Sequence, residues 1–121
     1  MCIRDRLYSL KSLMWRSVGL VRAKDELEQA LERIALWHHY LRRPHHERRE
    51  GIELTNMLTV SALCASAALA REESRGTHFR TDYPERDDAN SCRHLLIRRC
   101  AERGTIQIKP GESFSPTDAA Q

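Results

Sequence analysis

The sequence predicts a mainly α fold: a three-helix up-down-up bundle followed by an extended polar loop and a short β-hairpin. Three observations point there. Apolar residues recur at helical spacing in three successive segments of the first two-thirds of the chain. Only short links separate those segments, which makes an up-down-up bundle the economical arrangement. Beyond Asp88 the apolar period changes to that of strands, with a glycine between two short runs.

The first helix is read over about Leu7 to Val21, with Leu10, Leu13, Met14, Val18 and Val21 on one face. The second runs from about Lys24 to Arg42 and aligns Leu27, Ala30, Leu31, Ile34, Trp37 and Leu41. On its outer face, "KDELEQALER", Glu28 and Glu32 each meet a basic or polar neighbour one turn away. Pro44 marks its end, because proline disfavours helix in the residue before it. The third helix, about Glu50 to Glu73, stacks Leu54, Met57, Leu58, Ser61, Cys64, Ala65 and Ala68. Its many small residues let another backbone approach closely, and Cys64 is read as an inert core thiol. Gly76 is expected to stop this helix as a left-handed cap. The bundle therefore occupies residues 7–78.

An extended loop and a hairpin fill residues 79–110, the strands being "HLLIRRC" and "TIQIKP" around "AERG". Two strands alone are marginal in water, so the hairpin must lie against something. The tail 111–121, "GESFSPTDAAQ", reads as disordered.

Composition narrows the function. The 121 residues allow one small domain with a modest core. A 31% charged content and a mean hydropathy of -0.61 point to a soluble chain. No continuous apolar run approaches the roughly 20 residues of a bilayer span, and no signal-peptide pattern opens the sequence. A cytoplasmic protein with no membrane partner is expected. Cys2, Cys64, Cys92 and Cys100 form no CxxC pair, which suits reduced thiols. The net charge is only +3, with acids interleaved among the arginines, so no nucleic-acid partner is expected. The opening "MCIRDR" matches the translation of a common transposase-adapter end. Residues 1–6 are read as a sequencing scar, the chain as a fragment, and their removal as neutral for stability.

The chemistry is sparse. Glycines at 19, 51, 76, 104 and 111 are too scattered for a dinucleotide fingerprint or a P-loop, so this chain is expected to bind no cofactor. His38, His39, His45 and His46 cluster within nine residues, but adjacent helical residues point about 100° apart; a solvated helix end fits better than a metal site. Cys92, His94 and Cys100 would at most share a strand face. Ser74, His78 and Asp82 can be written as a triad, yet triads are defined by geometry rather than spacing, and the structural reading is preferred. No catalytic, cofactor-binding or metal-binding residue is assigned.

Three stretches carry a resemblance: "MWRSVGLVR" (Met14 to Arg22), "ELTNML" (Glu53 to Leu58) and "ESRGTHFRTDYPERDD" (Glu73 to Asp88). In order and spacing they resemble the C-terminal helical domain of L-aspartate oxidases, within the succinate dehydrogenase/fumarate reductase flavoprotein superfamily. The likeness covers Leu7 to about Pro110. Superfamily members read close to ESRG-x-H-x-R-x-D-[YF]-P followed by an acidic pair, and Glu73, Ser74, Arg75, Gly76, His78, Arg80, Asp82, Tyr83, Pro84, Asp87 and Asp88 match. Trp15 and the "VGLVR" run look more like aspartate oxidase than the dehydrogenase subunits. Ser91 departs from the pattern, standing where the superfamily often carries a Trp three residues before a His.

The resemblance implies an FAD enzyme that oxidises L-aspartate to iminoaspartate, at the start of quinolinate and NAD synthesis. FAD and the reacting groups would belong to upstream flavin-binding and capping domains of the same polypeptide. Glu73, Arg75, His78, Arg80 and Asp82 become candidate interdomain-docking residues, since arginine forks suit carboxylates and carbonyls. Docking predicts Arg75 and His78 largely solvated in this chain alone. Internal bracing of the loop predicts the opposite. Two other functions remain in view: a succinate dehydrogenase or fumarate reductase flavoprotein subunit, and a free-standing helical interaction module.

Overall fold

The computed structural model describes residues 2–41, 48–99 and 106–113. In chain order its elements are α1 (Ile3–Ser17), β1 (Val21–Arg22), α2 (Lys24–Leu41), α3 (Arg49–Ala70), β2 (Phe79–Arg80), β3 (Arg93–Arg99) and β4 (Ile106–Ser113). The three helices enclose one core of Leu10 and Leu13 from α1, Leu27, Ala30 and Ile34 from α2, and Leu54, Leu58, Ala65 and Ala68 from α3. Asp25 and Glu26 in the first turn of α2 lie at the helix end that suits their charge.

Helix α1 starts at Ile3, four residues ahead of the sequence reading. Ile3 packs against the core beside Leu7, and the Arg6 guanidinium lies over the Trp37 ring, 5.7 Å from its centroid. The helix also ends earlier than expected. Val18 caps it, its N–H reaching the Met14 carbonyl. A Cβ at Gly19 would sit 2.5 Å from the Trp15 carbonyl oxygen, so the close turn there requires glycine. Val21 thus leaves the helix for β1 and is 61% exposed instead of buried.

Helix α3 ends at Ala70, short of Glu73, with Arg71 extended at its C-cap. Its buried stripe is Leu54, Leu58, Ser61, Ala65 and Ala68. Cys64 lies about 100° round the helix from Ala65 and is exposed, not a core thiol. By length and composition alone α3 could cross a membrane, but here its stripe faces α1 and α2. Gly76 does have positive φ, +59°, yet it caps no helix. It sits in a two-residue turn closed by Arg75 and His78, which exchange both backbone hydrogen bonds at 2.8 and 3.0 Å. Only its first central residue has positive φ, the pattern of a II′ turn.

Strands β3 and β4 pair antiparallel, with Ile97 opposite Ile108 and an irregularity between Arg93 and Leu95. Half-buried Leu95 and Ile97 alternate with exposed His94, Leu96 and Arg98, and the hairpin lies against α3. Strand β4 reaches Ser113, so residues 111–113 belong to the hairpin and not to a tail. Arg42, Pro44, His45, His46, Cys100, the "AERG" turn and residues 114–121 lie outside the described residues. The sequence reading missed β1 and β2, which pair in parallel with Val21 beside Phe79 and Arg22 beside Arg80.

Candidate functional site

The polar elbow begins where α3 leaves four carbonyls without helical partners. Arg80, folded back from β2 and 1% exposed, meets three of them. Its Nη1 donates to the carbonyls of Ala68 at 3.2 Å, Leu69 at 2.8 Å and Arg71 at 3.2 Å. Nε and Nη2 pair side-on with the Asp82 carboxylate at 3.0 and 2.6 Å, and Tyr83 covers the guanidinium, 5.0 Å from ring centroid to Cζ. The Arg80 hydrogen bonds hold the Asp82 carboxyl below the usual carboxylate range.

Glu73 is the second anchor, and it is fully buried. Its Oε1 accepts from Arg71 Nη1 at 2.6 Å and Arg75 Nε at 3.0 Å. Its Oε2 accepts from Arg75 Nη2 at 3.1 Å and the Asp87 backbone N–H at 2.9 Å. Burial pushes this carboxyl up, but the bonds from Arg75, Asp87 and Arg71 more than reverse it, leaving it lowered. Arg71 carries the connection to the hairpin, donating to the carbonyls of Ser91 at 2.9 Å and Arg93 at 2.7 Å. Arg75 also reaches Asp88 at 2.6 Å, and Asp88 in turn meets Arg86 at 3.0 Å. Bonds from Glu73 and Asp88 raise the Arg75 guanidinium above its usual range, and those from Arg75 lower the Asp88 carboxyl.

His78 links this region to β1. Arg22 Nη1 lies 2.7 Å from His78 Nδ1, and arginine only donates, so Nδ1 must accept. Nε2 then carries the proton and donates to the Arg71 carbonyl at 3.2 Å. Desolvation, opposed by that bond and reinforced by Arg22, Arg71 and Arg80, lowers the His78 pKa below its ordinary 6.5. Arg22 is anchored from behind by its Nε to the Gly19 carbonyl at 2.8 Å.

All five candidate residues therefore converge on one elbow, engaged within the chain. Arg75 is not largely solvated, its side chain being 18% exposed, because Glu73 and Asp88 lie within its reach. Ser74, His78 and Asp82 form no triad. The Ser74 hydroxyl donates to the Tyr83 carbonyl at 2.7 Å and accepts from the Arg80 N–H at 2.9 Å, while Asp82 faces Arg80. Sequence reasoning missed Arg22, which ends one quoted motif, and Arg71, which lies just before another; Arg22 meets His78 across 56 residues, and Arg71 meets Ser91 and Arg93 across 20 and 22. Beside Ser91 lies a cleft of about 320 Å³ lined by Arg71, Asn90, Arg93, Leu95 and Pro110. Among the described residues no group of three His, Cys, Asp or Glu converges to hold a metal ion. Gly76, the one residue of positive φ among the described residues, serves the turn between Arg75 and His78, and open space flanks it.

Fold and elbow define a helical domain whose ionic groups brace its own chain. The chain belongs to the family described as fumarate reductase flavoprotein C-term, whose model matches residues 8–116. It is 33% identical to the L-aspartate oxidase of Streptomyces coelicolor over 118 residues, 90% of this chain and 20% of that protein. It is 35% identical to the succinate dehydrogenase flavoprotein subunit of Coxiella burnetii over 110 residues, 84% of this chain and 18% of that one. Among solved structures, a quinol-fumarate reductase with menaquinol aligns at a TM-score of 0.78 and 27% identity, covering 95% of this chain and 21% of that one. The Sdh1 complex of Mycobacterium smegmatis with UQ1 aligns at 0.74 and 30%, covering 94% and 21%. The chain thus spans about a fifth of the length of the curated relatives it matches. Those relatives carry oxidase and dehydrogenase names, and this chain matches the C-terminal domain of their flavoprotein superfamily.

Proposed function

We propose that the chain is the C-terminal helical domain of an FAD-dependent L-aspartate oxidase, a cytoplasmic enzyme oxidising L-aspartate to iminoaspartate for quinolinate and NAD synthesis. The observation that carries this reading is the match to an L-aspartate oxidase along 90% of the chain, together with Trp15 and the "VGLVR" run. FAD would be held by upstream flavin-binding and capping domains and would supply hydride acceptance there. This chain's part is structural. Glu73, Arg75, Arg80 and Asp82 set the elbow rigidly, and His78 fixes β1 beside it. That rigid mount meets the flavin domain through side chains it leaves outward, with Val21 and Phe79 side by side on one face of the parallel pair at 61% and 42% exposure. No membrane or nucleic-acid contact is part of this role.

The second reading, a succinate dehydrogenase or fumarate reductase flavoprotein subunit, is supported by the Coxiella relative and the aligned reductase and Sdh1 structures. The test is to recover the complete gene and assay its purified product for flavin reduction by L-aspartate and by succinate. Reduction by L-aspartate is expected. Reduction by succinate alone would replace the first reading with the second. The 121-residue chain by itself is expected to show no flavin absorbance and no oxidase activity, and stoichiometric FAD in it would overturn the assignment of the cofactor to the upstream domains.

A further inference from the structure

We propose that His78 is a proton-operated latch: neutral, it clasps β1 to the elbow, and protonation of Nδ1 releases β1 from β2. The geometry carries this. Nδ1 is the acceptor for Arg22 at 2.7 Å and Nε2 the donor to the Arg71 carbonyl at 3.2 Å. Both ring nitrogens are thus used, in opposite senses, and only the neutral ring satisfies both. A proton on Nδ1 would set an N–H against a guanidinium that has nothing but N–H to offer.

The charges around the ring sharpen the effect. Arg22 comes from β1, Arg71 from the end of α3 and Arg80 from β2, and all three oppose a cationic ring. The acidic residues close in sequence are turned elsewhere, Glu73 to Arg71 and Arg75, and Asp82 to Arg80. What remains to hold β1 is slight: a two-residue pairing, the Thr81 N–H bond to the Arg22 carbonyl at 2.9 Å and a longer one from the Thr81 hydroxyl to the same carbonyl at 3.4 Å. A ladder so short is marginal without side-chain support. Glu73 and Asp82 are paired with Arg71, Arg75 and Arg80, so release of β1 breaks none of the elbow's carboxylate bonds. It frees the link between α1 and α2 while leaving the α3 cap in place.

The latch is tested by nitrogen NMR of the 121-residue chain during an acid titration, with the Thr81 amide followed by hydrogen exchange. At neutral pH, Nδ1 should be unprotonated and Nε2 protonated. The ring should titrate below 6.5, its ordinary value. Thr81 should lose at least about tenfold in protection, after correction for intrinsic exchange, with the same midpoint. His78→Gln, which accepts and donates but does not titrate, should keep Thr81 protected across that range. A proton on Nδ1 at neutral pH, a midpoint at or above 6.5, or Thr81 protection indifferent to the ring's charge would overturn the latch. So would release of Thr81 in His78→Gln at the wild-type midpoint. If His78→Gln does not fold, Arg22→Gln serves instead, and a His78 midpoint that fails to rise there refutes the mechanism.

Discussion

Arg80 and Asp82 meet side-on through two hydrogen bonds of 3.0 and 2.6 Å, which leaves the remaining Arg80 nitrogen to close the end of α3. One guanidinium thus serves a carboxylate and three helix carbonyls at once. The planar, forked shape of arginine makes that division possible; a lysine ammonium at the same place would have to choose.

Arg80→Ala should therefore cost about 1–3 kcal/mol, the penalty for stranding the carbonyls it serves at the end of α3, since its partner Asp82 is exposed. Arg80→Lys should recover little of it. Urea denaturation of the chain checks both, and a loss below about 1 kcal/mol for the alanine variant would show that the cap is dispensable.

Acid should act on the elbow through its carboxylates. Glu73 and Asp82 have folded-state pKa values depressed below their ordinary 4.5 and 3.8. A depressed carboxyl contributes stability that is full above its unfolded pKa and is lost as pH falls through the folded one. The stability of the chain should therefore decline steadily below about pH 4.5, and Glu73→Gln should flatten part of that decline. At neutral pH the same variant should lose about 3 kcal/mol, because Arg71 and Arg75 keep their charges and lose their shared partner. Thermal melts of both proteins across the acid range measure this; parallel curves would deny Glu73 the role.

Arg75 separates bracing from docking. It is paired within the chain, so Arg75→Ala should cost the isolated chain about 1–3 kcal/mol by stranding Glu73. An exposed arginine awaiting another domain would cost under about 0.5 kcal/mol. Chemical denaturation of the chain alone distinguishes the two, and the smaller value would restore docking as this side chain's main task.

The first six residues make a similar contrast. Read from sequence they are removable without effect, but Ile3 packs on the core and Arg6 covers Trp37. Their deletion should cost about 1–2 kcal/mol from lost apolar burial, with about 0.5–1 kcal/mol more from the cation–ring contact. An unchanged melting curve would show that they are passengers.

Much of the architecture was legible because helical periodicity is local. Leu27, Ala30 and Ile34, or Leu54, Leu58, Ala65 and Ala68, fall on one stripe whatever surrounds them. The helix ends were harder, since Gly19, not the apolar Val21, decides where α1 stops. Glu73 continued a helical pattern but is drawn out of it by Arg71, Arg75 and the Asp87 amide. The elbow residues were legible as a cluster. What they do was not, because the partners of Arg80 are backbone carbonyls, which no sequence spells out.

The parallel pairing of β1 with β2 has a consequence for the order of assembly. Most bonds of the elbow close short loops, as from Arg71 to Arg93 across 22 residues. The Arg22–His78 bond closes one of 56. Loop-closure entropy rises by about 0.6 kcal/mol for each doubling of length, so the elbow can form on the end of α3 before β1 is recruited. On the ribosome the constraint is stricter. Val21 emerges before Phe79 and has no strand to join until Phe79 has been made, so α1 and its exposed Trp15 must wait through the synthesis of two whole helices before their last attachment exists.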